Sequence, residues 1–419
     1  MYLHNLLIII TFVLGYFLIT IEHKIKANKT SVALMMAIIC WVLQFTNHFH
    51  TYEYNLVHFQ EHLSSISQII FFLLGALTIV EVISMHKGFH LILNYINIRN
   101  KKKLLWFIGL ISFGLSAILD NLTTTIIMVT LLRRMLPEGK DRLLLGGAVV
   151  VAANAGGAWT PIGDVTTTML WIGGQISTVN IMQVLIVPSI VCMVAALFCI
   201  SFYLKGEFAP QLSSEEEKIE PFGSTIFWMG VCCLIFVPFF KILTGLPPFM
   251  GMLFGLALLW LFTDIVHSEY DNRQHLLVPH IMTKIDVSGV LFFLGILLCI
   301  DALSTAGLLK SLSIWMDQTI GSPYIIAMAI GIASAVVDNV PLVAAAIGMY
   351  DIAQYPVDST FWDLVAYCAG TGGSILVIGS AAGIAFMGLE KVDFFWYFKR
   401  VGSSALVGYF AGIIVYFLG

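Results

Sequence analysis

Five acidic residues of this chain lie in stretches that are otherwise apolar: Glu81, Asp120, Asp164, Asp301 and Asp338. Two of them are followed by asparagine, in Asp120-Asn121-Leu122-Thr123-Thr124-Thr125 and in Asp338-Asn339-Val340-Pro341. Asp164 closes the run Asn154-Ala155-Gly156-Gly157-Ala158-Trp159-Thr160-Pro161-Ile162-Gly163-Asp164 and precedes Val165-Thr166-Thr167-Thr168. Carboxylate, amide and hydroxyl oxygens suit a hard cation such as Na⁺. Burial and like-charge crowding favour the protonated form of a carboxyl, so the same oxygens can hold a proton and a metal cation in turn. Two species competing for one set of carboxylates is exchange chemistry in its smallest form. Each charge at membrane depth costs about 2.5 to 3.5 kcal/mol on insertion scales. An anion carrier would gain little from five of them.

These groups need broken helices to bring them together. Glycines permit close approach and unusual backbone angles, and Pro161 and Pro341 are expected to force the chain out of helix. Such backbone is tolerated at membrane depth only inside protein or beside a water-filled cavity. Half-helix amino ends alone would favour an anion; the carboxylates decide for the cation.

The composition fits that setting. Of 419 residues, 59% are hydrophobic and 11% charged, with a mean hydropathy of +0.92. Soluble domains carry roughly 25% charged residues, so a soluble globule is excluded in favour of a polytopic helical protein partnered by the lipid bilayer. No basic tract is long enough for nucleic acid. Seven cysteines without a CxxC pair read as small core hydrophobes, and no resident cofactor is expected. Tyr2–Thr20 lacks a basic leader and a small-residue cleavage site, so it reads as a retained span.

Spans of about 20 apolar residues are predicted at 2–20, 31–45 and 66–84. Between the last two, 48–62 carries His48, His50, His58, His62, Glu53 and Glu61 and, with irregular histidine spacing, reads as a polar external loop rather than a metal site. Residues 104–136 have Arg99, Lys101, Lys102 and Lys103 before them and reach Arg133, Arg134, Lys140 and Arg142. Positive residues mark the cytoplasmic side, and each arm is too short for the roughly 30 Å core. A re-entrant hairpin with Asp120-Asn121 near its tip is expected. Residues 143–171 then cross outward, broken at 154–163, and 181–204 return.

A cytoplasmic linker at 205–221, with Ser213-Ser214-Glu215-Glu216-Glu217-Lys218, separates halves 1–204 and 222–419. The second half is predicted to hold spans at 222–240, 248–266 and 287–303, a hairpin at 324–349, a broken span at 361–389 and a last span at 394–418. Arg273, Lys284, Lys391, Lys399 and Arg400 fall in its cytoplasmic loops. Asp317, Asp351, Asp358 and Asp363 flank the second hairpin, which therefore opens outward. His86 and His90, near the cytoplasmic face, read as solvated, with pH sensing as the functional alternative.

Landmarks recur in order about 216 to 220 positions apart. Leu74-Gly75 and Glu81 match Leu294-Gly295 and Asp301; Asp120-Asn121 matches Asp338-Asn339. Asn154-Ala155-Gly156-Gly157 matches Gly370-Thr371-Gly372-Gly373, and Gly163-Asp164 matches Gly379-Ser380. An odd number of crossings per half inverts the second copy. The fold class is thus an all-α polytopic membrane protein of two inverted repeats, each with about five transmembrane helices, one re-entrant hairpin and one broken helix. That architecture belongs to secondary transporters with a midplane site, and it suits alternating access better than a passive channel.

The expected cation and proton ligands are Asp120, Asn121, Asn154, Asp164, Thr166, Thr167, Asp338, Asn339, Ser374 and Ser380. Na⁺ would be held chiefly at Asp120, Asn121, Asn154, Asp164, Asp338 and Asn339. Glu81, Ser116, Thr123, Thr124, Asp301, Ser334 and Thr371 are candidates for support or a proton relay. Each has a plainer reading. The aspartates of the tips and break could only cap helices, the serines and threonines could only bond back to helix carbonyls, and Glu81 and Asp301 could snorkel to water.

At these residues the chain resembles the NhaD-type sodium/proton antiporters of the ion transporter superfamily. The carrying motifs are residues 116–124, 154–167, 334–342 and 370–374, and the run Gly156 to Asp164 is the most specific. The resemblance covers nearly the whole chain. It implies exchange of cytoplasmic Na⁺ or Li⁺ for external protons, strongest at alkaline pH, in a multi-pass protein of the bacterial inner membrane. It also implies a scaffold domain beside a moving transport domain, often in a homodimer. Carboxylate carriers of the superfamily place Ser-Asn-Thr at the hairpin tip; Asp-Asn here favours cation exchange. A sodium-coupled anion or dicarboxylate symporter, or an arsenite-type permease, would want cationic or hydroxyl groups at the midplane, and neither tips nor breaks carry Lys or Arg. An intramembrane aspartyl protease matches Gly163-Asp164 only in part, because Pro161 stands where its Gly-x-Gly-Asp signature needs glycine.

Overall fold

A computed structural model describes residues 2–20, 27–47, 51–89, 98–208 and 220–418 of the chain. Its longer helices, in order, are α1 (Tyr2–Thr20), α2 (Lys29–Phe45), α3 (Tyr52–Met85), α4 (Lys101–Leu119), α5 (Asn121–Met135), α6 (Lys140–Gly157), α7 (Val165–Ile172) and α8 (Thr178–Ser201). After the linker come α9 (Gly223–Thr244), α10 (Pro248–His267), α11 (Val287–Thr305), α12 (Leu308–Thr319), α13 (Pro323–Ala333), α14 (Asn339–Met349), α15 (Thr360–Gly372) and α16 (Ala381–Glu390). The last, α17 (Phe394–Leu418), contains a π-turn at Phe398–Gly402. Seven of these, α3, α4, α8, α9, α10, α11 and α17, are long and apolar enough to cross a membrane. Among the described residues there is no strand, only an isolated bridge between Asn100 and Glu207. The chain is an all-α, multi-pass membrane protein.

Three expectations change. Residues 52–62 are not a loop but the start of α3, a helix of 34 residues, about 51 Å long at 1.5 Å per residue. Thr51 caps it by accepting from Tyr54 N at 3.2 Å. Its polar turns are held by the Gln44–Asn55 amide bond (3.1 Å) and the Trp41–Phe59 ring contact (4.9 Å). Composition alone had made this stretch look like loop. Pro341 does not break a helix; it lies in the first turn of α14, where a missing N–H costs nothing. His86 is not solvated but fully buried. The amphipathic α12 had no counterpart in the sequence reading. His48, His50, His90 and the linker's Ser213–Lys218 segment lie outside the described residues.

The packing places two bundles side by side. Helix α2 lies on α11 and α10 on α3; α1 packs on α2, as α9 does on α10. The other bundle sets α4 against α6 and α13 against α15, with α5 on α16, α14 on α7, and α8 along α17. Under the expected correspondence of the halves these contacts form matched sets, α2–α11 with α10–α3, α1–α2 with α9–α10, α4–α6 with α13–α15, and α5–α16 with α14–α7.

Candidate ion-binding site

Four helices restart inside the protein, and each is capped by an oxygen-bearing side chain. Asp120 accepts from Thr123 N (2.7 Å), Asp164 from Thr166 N (3.0 Å), Asp338 from Val340 N (3.4 Å) and Ser380 from Gly383 N at 3.2 Å. The caps named in the plainer reading are therefore real. They do not exhaust these groups.

Asp164 is the meeting point. Its Oδ2 accepts from Asn121 Nδ2 at 2.8 Å and from Asn339 Nδ2 at 3.4 Å, one amide from each hairpin tip. Asn121 also donates to Asn154 Oδ1 at 3.0 Å. Asn154 in turn donates to Ser374 Oγ at 2.8 Å and Ser380 Oγ at 2.9 Å. Asn121, Asn154, Asp164, Asn339, Ser374 and Ser380 are all buried. Two positions break the correspondence between halves: Gly370 and Ser380 stand where the first half has Asn154 and Asp164. Gly370 leaves room beside the carboxylate, for a Cβ there would lie 3.8 Å from Asp164 Oδ2.

The local backbone is built to let these parts touch. Asp120, between α4 and α5, has φ 95°, a region that costs a non-glycine residue of order 1–3 kcal/mol. Ser116 Oγ donates to Ala153 O at 2.6 Å and Ser334 Oγ to Ala369 O at 3.1 Å, so each hairpin is tied to the broken helix beside it. These serines bind backbone rather than the central cluster.

The remaining predicted residues divide. Thr124 and Thr166 are buried, and the Thr166 hydroxyl lies beside the Asp164 carboxylate. Thr123 supports Asp120 with both its N–H and its hydroxyl (3.0 Å). Thr167 and Thr371 bond back to Asp164 O (2.9 Å) and Tyr367 O (2.6 Å). Asp301 and Glu81 stand apart: Asp301 pairs with His62 Nδ1 at 3.2 Å, and Glu81 feels Lys284. The Asp338 carboxylate accepts from the Val340 N–H and lies in the field of Lys29, while the Tyr16 phenol meets the Asp338 backbone. Lys29 Nζ also sits 4.8 Å over the Phe292 ring. Lys29 and Tyr16 were missed in the sequence, since nothing in their own neighbourhood points to a partner more than 300 positions away.

A cavity separates α3 from α5. Phe72, Leu73, Asp120, Asn121, Asp286 and Val290 are among the residues lining it, so it runs from the start of α11 to the first tip. On the other side α11 packs directly on α14. Among the described residues no group of three His, Cys, Asp or Glu side chains converges as a transition-metal site would. The donor set is one carboxylate ringed by amides and hydroxyls, which fits a hard monovalent cation or a proton.

Comparison with known proteins gives a consistent result. The citrate transporter family (CitMHS) matches residues 16–370. Sodium/proton antiporter 1 of Arabidopsis thaliana is 51% identical over 97% of this chain and 71% of its own length. Sodium/proton antiporter 2 of the same plant is 48% identical over 97% of both chains. The Na⁺/H⁺ antiporter NhaD of Vibrio parahaemolyticus is 28% identical over 90% of this chain and 97% of its own.

Proposed function

The chain belongs to the citrate transporter family and, within it, to the NhaD-type sodium/proton antiporters, and on that footing we propose that it exchanges Na⁺ for H⁺ at the cluster around Asp164. It is a transporter, not an enzyme. The observation that carries the site assignment is the convergence of Asn121, Asn154 and Asp164 with Asn339, Ser374 and Ser380.

In the arrangement described, three N–H groups stand in for a cation around the Asp164 carboxylate. When Na⁺ enters, the amides of Asn121 and Asn339 turn to offer oxygen, and the hydroxyls of Thr166, Ser374 and Ser380 complete the shell. A proton on Asp164 removes the charge that holds the ion. Ion and proton therefore take turns, and neither helps the other bind. Asp120 and Asp338 add acidic oxygen at the two tips.

The direction, cytoplasmic Na⁺ out and external H⁺ in, rests on the two hairpins opening on opposite faces. Segments assigned to one face by their charges pair with segments assigned to the same face. On the cytoplasmic side Lys101 meets Asp141 (2.6 Å) and Arg142 meets Glu390 (2.8 Å). On the external side Ser177 N meets Asp358 (2.6 Å) and Asn180 meets Asp363 (3.1 Å). The recurring helix pairs support two inverted repeats at 1–204 and 222–419. Li⁺, the other small alkali cation, is a second substrate in this reading, and a homodimer in a bacterial inner membrane is its setting.

The family description names citrate, so anion uptake is the competing reading. Three aspartates at helix starts speak against it, because they occupy the positive helix ends an anion would use. Everted membrane vesicles holding a proton gradient separate the two. Added Na⁺ or Li⁺ should collapse the gradient, and Asp164→Asn should abolish that response. Sodium-driven citrate or dicarboxylate uptake without proton movement would overturn the proposal.

A further inference from the structure

Two histidines are buried ring to ring where α3 and α10 end. His86 and His267 are 0% exposed, their Nε2 atoms are 3.1 Å apart, and their ring centroids are separated by 5.1 Å. The protons follow by elimination. His86 Nδ1 lies 2.7 Å from the Val82 carbonyl, which can only accept, so Nδ1 carries a hydrogen. A neutral His86 then has a lone pair at Nε2, and His267 Nε2 must donate into it. That leaves a bare lone pair at His267 Nδ1, which is buried with no hydrogen-bond partner among the described residues.

Four ring nitrogens thus hold two protons, and a third has no place. On His86 Nε2 it would confront the N–H of His267. On His267 Nδ1 it would make a buried donor with nothing to accept it. The surroundings do not rescue the charge. Glu220, Arg273 and His275 face the pair; Glu220 is already bound to Lys87 at 3.4 Å, and Phe222 lies edge-on to His267 at 6.1 Å. Burial holds His86 well below the usual imidazole value, down to about 4.

The pair sits at the end of a contact that continues to the transport cavity. Further along the same two helices, Gly75 packs on Met252, where a Cβ would come within 2.7 Å of its side chain. Met252 and the α3 residues Phe72, Leu73 and Ala76 line the cavity that reaches Asp120.

We propose that His86 and His267 form a proton-operated latch between α3 and α10, closed while both imidazoles are neutral and split by a third proton. The latch stands on its own geometry. Its consequence, a throttle on transport when the cytoplasm acidifies, rests on the exchange reading given above. The sign is fixed by proton counting. The closed pair binds fewer protons than the split one, so splitting gains about tenfold per pH unit for each imidazole that charges as pH falls below about 6.5, until near pH 4 His86 protonates in place.

The full-length protein, in a background without its seven native cysteines, carries spin labels at Ser84→Cys and Ser268→Cys. The labels should move apart between pH 8 and pH 5 in the otherwise native chain. They should stay fixed in the apolar pair His86→Leu with His267→Phe, or in His86→Gln with His267→Gln should that pair fail to fold. An unchanged distance in the native pair, or the same change in the replaced pair, overturns the latch. In proteoliposomes the acid limb of exchange should shift by at least one pH unit towards acid in the replaced pair, with KM for Na⁺ at pH 8 unchanged; coincident limbs overturn the throttle. If no version exchanges Na⁺ for H⁺, the transport reading fails, and the label distances still decide the latch.

Discussion

Capping alone would account for finding aspartate at the start of a helix, so the ion-handling role has to be separated from it. Asp120→Asn does this. Asparagine caps about as well as aspartate and has nearly the same size and shape, so the backbone at φ 95° asks the same of both. The bond from Thr123 N, 2.7 Å in the native chain, survives the change. Stability should therefore hold, with a thermal midpoint moved by no more than about 2–4 °C, the shift expected for roughly 1 kcal/mol. Na⁺-driven proton movement should nonetheless fall at least tenfold. Asp120→Ala should lose both. Wild-type exchange in Asp120→Asn would reduce this residue to a cap and leave Asp164 to carry the ion alone.

Four half-helices can meet only if their backbones come closer than side chains permit. A Cβ on Gly156 would run into the Phe113 carbonyl of α4, and one on Gly372 into the Gly331 carbonyl of α13. Both obstacles are backbone, which cannot swing aside. Gly156→Ala and Gly372→Ala should each cost about 1–3 kcal/mol, as overpacking does, and push the hairpin off the bond that ties it to the broken helix. Gly114→Ala is the control: it lies in α4 with nothing within 4 Å of the added Cβ, and alanine should gain up to about 1 kcal/mol of helix propensity there. Equal thermal shifts in all three would remove the close-approach argument. Glycine runs and Asp-Asn pairs are local signals, which is why the helix restarts at Asn121, Val165, Asn339 and Ala381 were legible in the sequence. The Asn121–Asp164–Asn339 junction was legible as well, because its members stand at corresponding landmarks. Contacts between unmatched segments left no such trace. Lys29 beside Asp338 and His86 against His267 join positions that no period or motif connects. The start of α3 was misread because a helix that outruns the bilayer carries the polar residues of a loop.

At the scale of the whole molecule the two tips are packed differently, one lining a cavity and the other lying on a helix that packs against α11. The cavity between α3 and α5 reaches from Asp286 to Asp120. Across the centre α11 packs on α14, and Lys241 donates to Trp171 O at 2.8 Å with its ammonium 4.4 Å from the indole ring, clasping the end of α9 to the end of α7. Because α11 begins after the basic loop that holds Arg273 and Lys284, and positive residues mark the cytoplasmic side, the proposed topology puts this cavity on the cytoplasmic side. Exchange requires the opposite state too, in which the second tip is exposed and the first covered. Cysteine accessibility tests this directly. Leu122→Cys lines the present cavity and should react with a membrane-impermeant thiol reagent added on the cytoplasmic side. Leu342→Cys, one turn into α14, should react only from the external side, and only while the first tip is protected. Na⁺ should slow both reactions, since an occupied centre keeps water and reagent out. Labelling of both positions through one face would mean that the two halves are not inverted, and a single mouth serving both tips would make alternating access to Asp164 impossible.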